Sequence, residues 1–165
     1  MEINLPKNNP DTLSKQQKIE LTLDDLISIW EKDSLIDETE LAQESLKINK
    51  LHSKYFSILS LKNMERKSLE PKIKRMYKIK LEYYSGKMSD VDLKKFNWQP
   101  FGHILSKNDI ETYVNADQDM CVIFNKKDTL DEIIEYLKGI IKELNNRTWQ
   151  IKNAIEWHKL TRGMN

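Results

Sequence analysis

The chain holds one cysteine, Cys121, so it forms no internal disulfide and no cysteine-based zinc cage, and it suits a reducing cytoplasm. Four glycines and four prolines are too few for a turn-rich sheet protein or a low-complexity chain. No stretch approaches the roughly 18 consecutive apolar residues of a membrane span. The opening MEINLPKNNPD has neither a basic n-region nor an apolar h-region, which reads against a secretory signal. Glycine-rich phosphate loops, HExxH and GxSxG are all missing, which argues against ATP hydrolysis, zincin chemistry and a serine nucleophile. His52, His103 and His158 share no metal-ligand spacing. Asp117 and Asp119 are two carboxylates where a cation needs more, and acids at that spacing are common at helix starts. No cofactor and no catalytic residue is expected.

What is present is helical patterning. The 165 residues are 39% hydrophobic and 32% charged, with the apolar residues in stripes, so the expected class is all-α. Residues 1–20, with Pro6 and Pro10, read as a flexible extension. Thr22 and Asp25 cap a short helix whose stripe is Leu23, Leu26, Ile27 and Trp30. A turn follows at residues 34–36, and Asp37 with Glu40 starts a long helix carrying Leu41, Ile48, Leu51, Tyr55 and Ile58. Pro71 is expected to kink or interrupt that helix, which resumes at Lys72 and stops at Gly86. Residues 87–108 form a short irregular middle segment, a loop with aromatic anchors at Phe96, Trp98 and Phe101. Residues 109–124 fit either a short strand at 120–124 or a helix from Asp109.

Thr129 and Glu132 match a capping box at the head of a C-terminal helix. Its coiled-coil-like stripe comprises Leu130, Ile134, Leu137, Ile141, Leu144, Ile151 and Ile155, widened by Ile133 and Ile140. Asn145, Arg147 and Thr148 weaken the seam midway. So long a stripe needs a large apolar partner, and copies of the same chain are an economical one; the alternative is packing on the second helix of the same subunit. The resulting division is an extension (1–20), a helical region with an aromatic loop (21–108), and a C-terminal oligomerisation region (109–165).

Charge is segregated. Residues 1–46 carry eleven acids and four bases, net −7, whereas residues 62–87 carry nine bases and three acids, net +6. The basic stretch contains Lys67, Lys72, Lys74, Arg75, Lys78, Lys80 and Lys87 beside Tyr83 and Tyr84. Basic side chains neutralise phosphates and tyrosines stack on bases, although solvated basic faces and packed tyrosines are equally compatible with the pattern. At 100° per residue Lys67, Lys74 and Lys78 share one stripe, while Lys80 points about 160° away, towards Leu69, Ile73 and Met76. Three arrangements reconcile Lys78 and Lys80 on one strand: a local helix end, a snorkelling Lys80, or a strand shared between subunits.

The run Lys78-Ile79-Lys80-Leu81-Glu82-Tyr83-Tyr84-Ser85-Gly86 resembles the signature of the UvsY recombination mediator family of T-even-type phages. Leu23 to Leu26, Ile36 to Leu41, Ser53-Lys54-Tyr55, Ala116 to Asp119 and Ile151-Lys152 extend the resemblance from Leu23 to Gly163. The resemblance implies binding to single-stranded DNA, with Lys78 and Lys80 in the family's two DNA-contacting basic positions. It further implies a hexameric or heptameric homo-oligomeric ring built through C-terminal helices, in the cytoplasm of an infected bacterium. The implied partners are a phage single-strand-binding protein and a RecA-like recombinase of the UvsX type. Two other readings remain: a protein-only helical adaptor, and a nuclease accessory using Asp117 and Asp119.

Overall fold

Thr22 opens α1 (Leu23–Asp33) with the expected reciprocal box: its hydroxyl accepts from the Asp25 N–H at 3.2 Å, and the Asp25 carboxylate accepts from the Thr22 N–H at 3.0 Å. The computed structural model describes residues 21–163, so the extension expected over 1–20 lies outside the described residues. Leu26 and Trp30 of α1 are buried. After the turn Asp37 does not cap the next helix. Its carboxylate instead accepts from the Thr39 N–H (2.9 Å) and hydroxyl (2.6 Å), a local Asx turn that competes with capping. The long helix α2 (Leu41–Tyr84) starts behind it, at Glu40, with no side-chain cap.

Pro71 lies inside α2, which runs through it without the expected break. Proline removes one rung of the ladder. Pro71 and Lys67 are both exposed, so the missing rung falls on the solvent side of the helix, where an unpaired carbonyl costs little. Gly86 ends the helix as expected, at φ 68°, with Lys87 N–H bonded to the Glu82 carbonyl (3.0 Å) and Gly86 N–H to that of Tyr83 (3.1 Å).

The segment expected to be a loop contains the short α3 (Asp90–Phe96), capped by Ser89 and closed by Asn97 in the left-handed conformation, φ 56°. The same Ser–x–x–Asp box then opens α4 (Lys107–Ala116), at Ser106 and Asp109. Asp117 caps α5 (Gln118–Thr161). Residues 120–124 are therefore helical, and Thr129 lies inside α5, where its hydroxyl donates to the Asn125 carbonyl at 2.9 Å. The described residues form five helices and no strand.

Helices α2 and α5 pair antiparallel. Lys80 meets Asp117 at one end, Arg66 meets Asp131 midway, and Leu41 and Ile155 line one cleft at the other end. Between them and α1 lies the core of Leu26, Trp30, Tyr55, Ile133, Leu137, Ile140 and Leu144. The C-terminal stripe expected to join subunits is thus used within the chain. Leu130, Ile134, Leu137, Leu144 and Ile151 are buried, and Ile141 and Ile155 are half-buried. Two apolar-faced helices of 44 residues each, tethered through the segment that holds α3 and α4, meet each other at higher effective concentration than a second copy would offer. Arg147 does not weaken this seam. Buried at 2% exposure, its guanidinium donates to the Asp33 (3.2 Å) and Ser34 (2.8 Å) carbonyls and sits 5.5 Å from the Trp30 ring, closing the end of α1. Leu46, Phe56, Leu61 and Met64 of α2, and Trp149, Trp157 and Leu160 of α5, remain exposed.

Candidate nucleic-acid interface

From Lys67 onward the basic stretch occupies the last five turns of α2 and the turn beyond it. Lys67, Lys72, Lys74, Arg75, Lys78 and Lys87 are all exposed. No ion pair within the described residues engages Lys67, Lys72, Lys74, Arg75 or Lys87. Lys78 makes one long contact to Glu82, 3.7 Å, with its side chain 76% exposed. Screened by solvent, that contact leaves Lys78 available. Lys67, Lys74 and Lys78 line one stripe of this half-helix, one or two turns apart, with Arg75 to one side and Lys72 turned roughly 120–160° away.

Lys80 is placed differently. It falls on the inner face of α2 with buried Leu69, as helical geometry from the sequence requires, and is only 5% exposed. Its ammonium lies 2.6 Å from Asp119 and 2.9 Å from Asp117, and 4.2 Å from the centroid of the Trp98 ring. Burial disfavours its charge, but hydrogen bonds and the negative charges of Asp119 and Asp117 outweigh that, and its pKa is raised. Burial likewise disfavours the Asp117 carboxylate, yet Lys80 and Tyr84 hold its pKa below the ordinary value. The structure thus does not put Lys78 and Lys80 on one surface.

Tyr83 and Tyr84 are partly buried and belong to an aromatic cluster. Tyr83 stands 5.0 Å from Trp98, centroid to centroid, and Tyr84 stands 5.0 Å from Phe101 and 5.6 Å from Tyr113. Phe96 stacks on Trp98 at 4.9 Å. The Tyr84 hydroxyl donates to Asp117 at 2.9 Å, and burial together with that bond pushes its pKa up to about 12. The aromatic anchors expected in the middle segment are therefore real. They fasten α3 and the residues after it to the end of α2.

Sequence reasoning missed the pairing of Asp117 and Asp119 with Lys80 and the seat of Trp98 over that lysine. The helix-start character of Asp117 was visible, but its partner lies 37 residues earlier, and nothing local announces it.

Comparison with known proteins bears on the same region. The family described as "Recombination, repair and ssDNA binding protein UvsY" matches residues 29–164. The recombination protein uvsY of Enterobacteria phage T4 is 24% identical over 133 residues, covering 81% of this chain and 92% of that protein. Two crystal structures of the bacteriophage T4 recombination mediator protein UvsY share the fold. One has a TM-score of 0.76 at 24% identity, covering 85% of this chain and 97% of the other. The second has a TM-score of 0.75 at 22% identity, covering 83% and 97%.

Proposed function

Because the chain belongs to the UvsY family of recombination, repair and single-stranded-DNA-binding proteins, we propose that its strand-binding surface is the outer basic face of α2, from Lys67 to Lys78. The observation that carries this reading is the exposed stripe Lys67, Lys74 and Lys78, flanked by the exposed Arg75; among the described residues only Lys78 of these has an acidic partner. Such a row neutralises successive phosphates and displaces their counterions without reading bases. Each contact is weak. A homo-oligomeric ring repeats the row around its circumference and makes binding multivalent. With most of the C-terminal stripe packed inside the chain, the exposed Leu46, Phe56, Leu61 and Met64 of α2, with Trp149 and Trp157 of α5, are among the apolar side chains left to join subunits. A strand held on that ring departs from the path imposed by a single-strand-binding protein, which favours handing it to a UvsX-type recombinase.

The test is fluorescence anisotropy of a labelled oligothymidine, titrated at low and then raised salt. Binding that weakens steeply with salt supports the reading. No binding at low salt overturns it and favours a protein-only adaptor.

A further inference from the structure

Building on the proposed strand-binding face, we infer that Lys80 is a positioning residue for that face and not itself a phosphate contact. Three features of the structure converge on this assignment. The ammonium is enclosed, with its side chain 7% exposed, whereas the neighbouring Lys78 side chain is 76% exposed. Two of its three N–H donors are engaged by carboxylates, at 2.6 and 2.9 Å. Its charge lies 4.2 Å from the centroid of the Trp98 ring, a third favourable partner.

These partners come from separate parts of the chain. Asp117 is both the N-cap of α5 and the acceptor of the Tyr84 hydroxyl. Trp98 follows the left-handed turn at Asn97 and stands against Tyr83. Lys80 therefore joins the end of α2, the start of α5 and the aromatic segment after α3 at one point. Were it to reach outward for a phosphate, it would leave two carboxylates facing each other across the gap, one of them with a nearly buried side chain. The consequence for function is geometric: the joint holds the last two turns of α2 helical, and those turns carry Lys78.

The salt dependence of strand binding separates the two roles. A lost phosphate contact makes log K fall less steeply with log salt, by about 0.7 per contact for single strands, whereas a lost support weakens binding without changing the slope. The experiment compares the unsubstituted full chain with Lys78→Ala, Lys80→Met and Asp119→Asn. It reads oligothymidine affinity between 50 and 200 mM salt, ranges given as about one fourfold step, and amide hydrogen exchange over residues 97–105. Lys78→Ala is expected to show the shallower slope with unchanged exchange. Lys80→Met is expected to bind several-fold more weakly at every salt concentration, with the original slope and faster exchange. Asp119→Asn, whose carboxylate is half exposed and tolerates change, is expected to shift both in the same direction by less.

A shallower slope for Lys80→Met with unchanged exchange overturns the inference, as does unchanged affinity. So does tighter binding by Asp119→Asn, which would mean that the carboxylates withhold Lys80 from the strand. If Lys80→Met fails to fold, Asp119→Asn still decides between the two roles. Failure of the unsubstituted chain to bind oligothymidine overturns the strand-binding reading itself, and is recognised because it precedes any difference among variants.

Discussion

Towards one end of the α2–α5 pair a buried guanidinium, Arg147, meets two backbone carbonyls and Trp30. At the other a buried ammonium, Lys80, meets two carboxylates and Trp98. Both ends solve the same problem, fastening a peripheral segment to a two-helix frame with a cation seated by an indole. The acceptors differ, and with them the behaviour. Carbonyls do not titrate, so the two hydrogen bonds of the Arg147 joint do not depend directly on pH. The Asp33 carboxylate beside them does titrate. Burial opposes its charge, while hydrogen bonds from Lys54 and Tyr55 and the charges of Lys54 and Arg147 hold its pKa below the ordinary value. At the Lys80 joint an acceptor itself, Asp117, titrates. Planar guanidinium also suits two fixed carbonyls, where ammonium suits two carboxylates that approach from different elements.

Breaking the Arg147 joint should have the larger effect. Arg147→Met leaves two helix-end carbonyls without donors and forfeits two charged hydrogen bonds, an expected loss of about 3–4 kcal/mol in urea unfolding. Lys80→Met should cost about 2 kcal/mol, below the usual penalty for breaking a buried pair because the Asp119 side chain is 55% exposed and rehydrates. The two deficits should also part company in acid. The folded-state pKa of Asp117 is lowered, so its contribution is present above the unfolded value of 3.8 and is lost as pH falls through the folded value. Unfolding curves taken downward from pH 5 should show the Lys80→Met deficit shrinking towards zero and the Arg147→Met deficit falling by less, because its two carbonyl bonds survive protonation of Asp33. An Arg147→Met deficit that vanished in parallel would erase the distinction.

Smaller changes sharpen the contrast. Asn97→Val forces a β-branched side chain into the left-handed turn that delivers Trp98, an expected loss of about 1 kcal/mol by thermal melting, felt at the Lys80 end alone. Lys78→Ala, on the exposed outer face, should leave the melting curve unchanged and alter only the affinity for a single strand and its salt slope.

Parts of this arrangement were legible in the sequence, and the residues show why. The Thr22–Asp25 box and the left-handed Gly86 are local signals with local causes, and both appear as read. The direction of Lys80, away from Lys78 and towards Leu69, followed from helical repeat alone, and both side chains are buried. Membership of the UvsY family was carried by the stretch ending in Gly86. Thr129 and Glu132 misled because a threonine three residues before a glutamate looks the same inside a helix as at its start; the hydroxyl turns back to the Asn125 carbonyl. Pro71 misled because its penalty was weighed against an isolated helix, and α2 is held along its length by α5. The stripe from Leu130 to Ile151 announced a partner but not whose it was: periodicity is identical for a neighbour's helix and for one's own.

The antiparallel course of α2 and α5 has a kinetic consequence. The Lys80 joint spans 37 residues of chain, between Lys80 and Asp117, and the Arg147 joint spans 114, between Asp33 and Arg147. Closing the longer loop from an open chain costs about 1 kcal/mol more in entropy, so association should start near the α2–α5 connection and zip towards the end that holds α1. Lys80→Met should then act mainly by slowing refolding, and Arg147→Met mainly by hastening unfolding.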